Sequence, residues 1–163
     1  MRLLNARESY ERTVCNCGEC REHCRHRPGS LVPGDIKPIE EHLGEPIAGS
    51  TLFRLSLRTM VIMKGELTSI PTITPQVKED CTCVFLDNET GKCKIHEVAP
   101  YGCSHFDAHM DDREGHKRSA HGITDIIRDI KRRGKYFQIL DPWMQQLPTM
   151  HDIAEAKGEP VED

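Results

Sequence analysis

Eight cysteines in two groups constrain this chain more than any other feature. They read C-x-C-x2-C-x3-C at Cys15, Cys17, Cys20 and Cys24, and C-x-C-x9-C-x9-C at Cys81, Cys83, Cys93 and Cys103. In an oxidising compartment such a count suggests disulfides, whereas in a reducing one it points to metal ligation or redox chemistry. The amino-terminal MRLLNARESYERTV lacks the apolar run of a signal-peptide core, and no later segment approaches the roughly 20 apolar residues that span a bilayer. The expected location is therefore cytoplasmic, with no membrane association, and the expected use of the thiols is to hold zinc or iron. Both metals accept soft thiolate ligands, and a C-x2-C step lets one short turn supply two of them.

If residues 17–24 are helical, Cys17, Cys20 and Cys24 lie within roughly 60° of one another around the axis, with His23 between them as a candidate nitrogen ligand. The second group is too spread out to chelate locally. It needs a fold, and Val84-Phe85-Leu86 and Cys93-Lys94-Ile95 flanking a polar loop that ends in Gly91 predict a short β-hairpin that draws Cys83 towards Cys93. All eight cysteines and His23 are thus candidate ligands. A structural zinc alone can contribute roughly 10 to 16 kcal/mol, comparable to the net stability of a whole domain. That matters here because only 37% of residues are hydrophobic and 5% aromatic, which leaves little apolar area to bury.

The 163 residues fit one domain, expected over 1–147, with a polar tail from 148 to 163. The expected class is α+β, a small, irregular, metal-stapled single domain with a short β-hairpin and several helices. Asp35 can cap a short helix bearing Ile36, Ile39 and Leu43 and closed by Gly44. Alternation at Phe53, Leu55 and Leu57 predicts a strand over 52–63, and prolines keep Ile70–Pro75 extended. Ile123, Ile126, Ile127 and Ile130 predict an amphipathic lid helix over 120–133, stopped by Gly134, with Asp125, Arg128, Asp129 and Arg132 facing outward.

The two clusters resemble those of the CxxCxxCC or YkgJ-like family, whose members are described as zinc- or iron-chelating domains. The likeness spans about 15–107. The first signature appears as CGECREHC, with Cys17, Cys20 and Cys24 in register and His23 in place of a cysteine. The second appears as CVFLDNETGKCKIHEVAPYGCSHF, with Cys83, Cys93, Pro100, Cys103 and Phe106 in register. His96, Ala99 and Ser104 stand where the family pattern has a tyrosine and two arginines. Cys15 and Cys81 lie outside the pattern. Each sits two residues upstream of its cluster's first matching cysteine, which suggests that the two meet in space to complete a second metal site. The resemblance also admits an iron–sulfur cluster, since some relatives are described as flagellin-modifying methylases.

Other residues add less. His105 and His109, spaced i, i+4 with Asp107, Asp111 and Asp112 nearby, offer a nitrogen and oxygen set. Arg21, Arg25, His26 and Arg27 can offset the negative charge of a thiolate-rich centre. A net charge of -4 argues against a nucleic-acid partner, and Lys131, Arg132, Arg133 and Lys135 oppose a helix dipole as readily as they bind an acidic surface. No GxxxxGK, GxGxxG, GxSxG or HExxH motif occurs, so no catalytic residue is assigned. The reading is a metal-binding cysteine-cluster protein whose one defined partner is the metal ion. An iron–sulfur redox protein or protein-modifying enzyme, and a zinc-stapled protein or nucleic-acid adaptor, are the alternatives.

Overall fold

In the computed structural model, which describes residues 2–63 and 65–148, the chain builds an α+β unit of short helices around one antiparallel ribbon. The elements run α1 (Ala6–Ser9), α2 (Gly18–His26), α3 (Ile36–Leu43), β1 (Phe53–Met63), β2 (Glu66–Pro75), α4 (Tyr101–Ser104), α5 (Asp112–Arg132) and α6 (Lys135–Gln145). The polar tail after Pro148 lies outside the described residues.

Strands β1 and β2 pair from Phe53↔Pro75 to Met63↔Glu66, with the register shifting between Arg58 and Val61. The alternation in β1 is read correctly, but its burial fades along the strand: Phe53 is 3% exposed and Leu57 60%. A two-stranded ribbon has only its helix-covered end in the core. On β2, Ile70, Thr72, Ile73 and Thr74 are all buried. Tyr136 of α6 anchors this end. It is fully buried, its hydroxyl donates to the Leu31 carbonyl at 2.8 Å, and it accepts from the Ile73 amide at 2.9 Å.

Asp35 has a different task from the expected helix cap. Its side chain makes no cap bond to α3. Fully buried, it accepts from the Val32 and Tyr101 amides, each at 2.8 Å, and pairs with Arg7, whose guanidinium also donates to the Ala99 carbonyl. Burial pushes its carboxyl up to about 6 despite the Arg7 charge beside it. One carboxylate thereby joins α1, the turn before α3 and the start of α4. Gly44 closes α3 as expected, at φ 69°.

Helix α5 starts eight residues before the expected boundary. Asp111 caps it through the Arg113 amide, and the first turns face solvent, so no apolar period announces them. Two of its four expected outward residues turn in. Asp125 accepts from the Ala6 amide at 2.6 Å, and Asp129 accepts from the Phe137 amide at the start of α6, leaving the two carboxylates 6% and 5% exposed. Arg128 and Arg132 do face solvent. The helix stops on Arg133 in the left-handed region, and Gly134 instead leads into α6.

The expected hairpin over 84–95 is reduced to one bridge, Leu86↔Cys93, with the Asp87 carbonyl accepting from the Gly91 amide across the turn. Five residues of polar loop consume most of the pairing length between the two short apolar runs.

Candidate metal centre

Helix α2 presents the first cluster. Cys17 occupies its N-cap position and Cys20 its first turn, so both sulfurs sit at the end where free amides and the helix dipole favour negative charge. Cys15 reaches them from the loop just before. The fourth member comes from the far side of the sequence: the segment after α4 turns at Asp107, whose carboxylate accepts from the His109 amide at 2.9 Å, and swings His109 over α2. One ligand atom from each of Cys15, Cys17, Cys20 and His109 lies within 4.8 Å of the others.

Electrostatics in this group already favour ligation. The Cys20 amide donates to the Cys17 sulfur and His109 Nε2 approaches it to 3.1 Å, which together pull the Cys17 thiol down to about 6. The same contact raises His109 above the usual imidazole range. Cys20 receives the Ala108 amide at 3.4 Å, which lowers its thiol, but desolvation and the neighbouring sulfurs of Cys17 and Cys15 outweigh this and carry it up to about 11. Crowding the two thiols of α2 together eases the ionisation of Cys17 and hinders that of Cys20. A cation relieves that repulsion.

The donor set fits the metal. A tetrahedral zinc with sulfur at about 2.3 Å and nitrogen at about 2.0 Å draws three sulfurs and one nitrogen to roughly 3.5–3.8 Å from each other. A group spread over no more than 4.8 Å needs only small side-chain adjustments to reach that spacing.

The other expected ligands lie elsewhere. Cys24 sits four residues beyond Cys20, where a rise of ~6 Å along the helix carries it past the group, so the three sulfurs of α2 do not face a single point. His23 is exposed and lines a cavity of about 800 Å3, together with Cys20, Cys24 and Cys103. Cys15 and Cys81 do not meet. Cys15 joins the group, while Cys81 is exposed in the left-handed region at φ 64°, its carbonyl accepting from His26 Nδ1. Cys83 is buried, and Cys93 and Cys103 are half-buried.

His109 is the ligand candidate that sequence reasoning undervalued by pairing it with His105. The two separate completely. His105 is 2% exposed, bonded through Nδ1 to Ser104 and packed on the Tyr101 ring, and burial followed by the Arg7 charge lowers it to about 4. The available signal was stoichiometric: C-x-C-x2-C supplies three donors, and a tetrahedral ion wants a fourth.

No described helix is long and apolar enough to cross a membrane. No curated protein and no solved structure matches the chain. Residues 16–124 do match a family described as "Putative zinc- or iron-chelating domain", a stretch that includes His109 and every cysteine except Cys15. The chain belongs to the CxxCxxCC family of zinc- or iron-chelating domains.

Proposed function

We propose that this protein chelates zinc or iron through both of its cysteine clusters, in a reducing compartment, with Cys15, Cys17, Cys20 and His109 as one complete set of ligands. The observation that carries this reading is the convergence of three thiols and an imidazole from separate segments to within 4.8 Å. Cys24, Cys83, Cys93 and Cys103 bring further thiolates to the same task, and Cys81 stands at its edge.

The tight spacing of the first set favours a single ion over an iron–sulfur cluster, whose bridging sulfides hold thiolate ligands farther apart. Bound there, the metal supplies charge neutralisation and a cross-link between α2 and the loop after α4. Anaerobic purification followed by elemental analysis tests the reading. The expected result is stoichiometric zinc or iron without labile sulfide, and a lower content after Cys17→Ser or His109→Ala. A wild-type protein free of metal, or full content in both variants, refutes it.

A further inference from the structure

Once Cys15, Cys17, Cys20 and His109 are assigned to one ion, four of the remaining thiols come together from three different segments. We infer that Cys24, Cys83, Cys93 and Cys103 form a second, separate metal centre of four thiolates, so that the chain holds two ions. The inference rests on the chelating role proposed above. It divides the ligands differently from their order in the sequence, because Cys24 leaves its own cluster to join the other.

Backbone contacts bring the four together. The Cys83 amide donates to the Arg25 carbonyl at 2.7 Å, which sets Cys83 beside the last turn of α2, next to Cys24. The Cys83 carbonyl accepts from Leu86 at 3.0 Å, and Leu86 bridges Cys93, so the turn carrying Cys83 also carries Cys93. Cys103 arrives on α4. The Gly29 amide donates to its sulfur at 3.0 Å, and the chain leaving α2 presses on α4 so closely that a Cβ on Gly29 would lie 2.5 Å from the Cys103 nitrogen. Cys24 and Cys103 line the same cavity.

Charge behaviour agrees with this placement. Desolvation raises the thiols of Cys83, Cys93 and Cys103, and that of Cys24 although the residue is exposed, and the charges of their fellow members raise Cys83, Cys93 and Cys103 further. The Phe85 and Leu86 amides and then Lys78 act against this at Cys83, the Ile95 amide and then Arg12 at Cys93, and the Gly29 amide at Cys103. When a divalent cation enters, four S–H protons leave to solvent and four metal–sulfur bonds form, giving a centre of net charge -2 beside those positive groups. Among the described residues only the first group closes to 4.8 Å. Cysteine is a one-torsion side chain, and a single rotamer change moves its sulfur by roughly 3 Å, which is the adjustment by which an ion would gather the quartet.

Three segments meet here, whereas only α2 with its preceding loop and the His109 segment meet at the first centre. The four-thiolate centre therefore ties together more segments of the chain than the first does.

The test is zinc stoichiometry by native mass spectrometry on full-length zinc-loaded protein, with X-ray absorption at the zinc edge reporting the ligands. Wild type is expected to hold two zinc ions. Cys17→Ser should keep one, in a sulfur-only shell, and Cys93→Ser should keep one, in a shell that includes nitrogen. A wild type with one zinc in a mixed sulfur and nitrogen shell overturns the second centre and leaves the first intact. Full occupancy in Cys93→Ser also overturns it. Two ions in wild type with no loss in Cys17→Ser or His109→Ala would instead count against the first centre. Should Cys93→Ser fail to fold, the wild-type stoichiometry and shell decide alone.

Discussion

A methyl group at Gly29 should empty the four-thiolate centre while leaving the other ion in place. A Cβ there would sit 2.1 Å from the Gly102 carbonyl carbon, 2.4 Å from its oxygen and 2.5 Å from the Cys103 nitrogen, all of them backbone atoms that cannot rotate away. Ordinary contact begins near 3.4 Å, so the two segments must part by about 1.3 Å. That opening breaks the 3.0 Å bond from the Gly29 amide to the Cys103 sulfur and moves the sulfur several times farther than the ±0.2 Å tolerance of a metal–ligand bond. Overpacking costs about 1–3 kcal/mol and a lost bond to a thiolate about 1.5–3 kcal/mol, for a combined destabilisation of about 2.5–6 kcal/mol before the binding energy of the lost ion is added. Gly29→Ala is expected to bind one zinc, in a shell of sulfur and nitrogen, and to melt well below wild type. Gly115→Ala is the control: a Cβ at this helical position on α5 meets nothing within 4 Å, and the change should keep both ions and gain roughly 0.5–1 kcal/mol. Two ions and an unchanged melting temperature in Gly29→Ala would refute the reasoning.

Tyr136→Phe removes the hydroxyl that serves the Leu31 carbonyl and the Ile73 amide, leaving two buried polar groups unpaired, and should cost about 2–4 kcal/mol in urea unfolding; a loss below about 0.5 kcal/mol contradicts the bridge. In the reduced, metal-free protein, Cys17 should be the first thiol alkylated by iodoacetamide. With its pKa near 6 against an ordinary 9.0, it is about nine-tenths thiolate at pH 7, but the weaker nucleophilicity of a stabilised thiolate trims the advantage to roughly three- to six-fold. His109→Ala should raise the pH midpoint of that labelling and zinc should abolish it, whereas uniform labelling of all eight cysteines contradicts the assignment. Asp35 binds its proton more tightly when folded, at about 6 against 3.8, so its contribution to stability falls as pH rises through that window and is constant above it. Measured as wild type minus Asp35→Asn, so that proton release from the thiols cancels, stability should drop by about 2 kcal/mol between pH 4 and 6.5; a flat difference removes Asp35 as the cause.

Cysteine spacing, helix stops and local alternation are legible in the sequence because each acts within a few residues. The Cys17-x2-Cys20 step predicts two neighbouring sulfurs on one turn, Gly44 predicts a stop to its helix, and Phe53, Leu55 and Leu57 predict a strand, all of which the fold contains. Tertiary structure decided the rest. Asp125 and Asp129 look like solvent-facing residues of an amphipathic helix, and only the approach of Ala6 and Phe137 gives their carboxylates buried partners. The start of α5 bears no apolar period because its early turns pack against little. Most consequentially, the sequence groups Cys24 with Cys20 and His109 with His105, since both pairs are one helical turn apart. Folding separates each pair: a helical turn carries Cys24 past the first group, and the Asp107 turn swings His109 away from buried His105 onto α2. The sequence by itself determined which atoms are available to a metal. How they are shared out depends on loop closures across 89 residues between Cys20 and His109, and no local spacing encodes those.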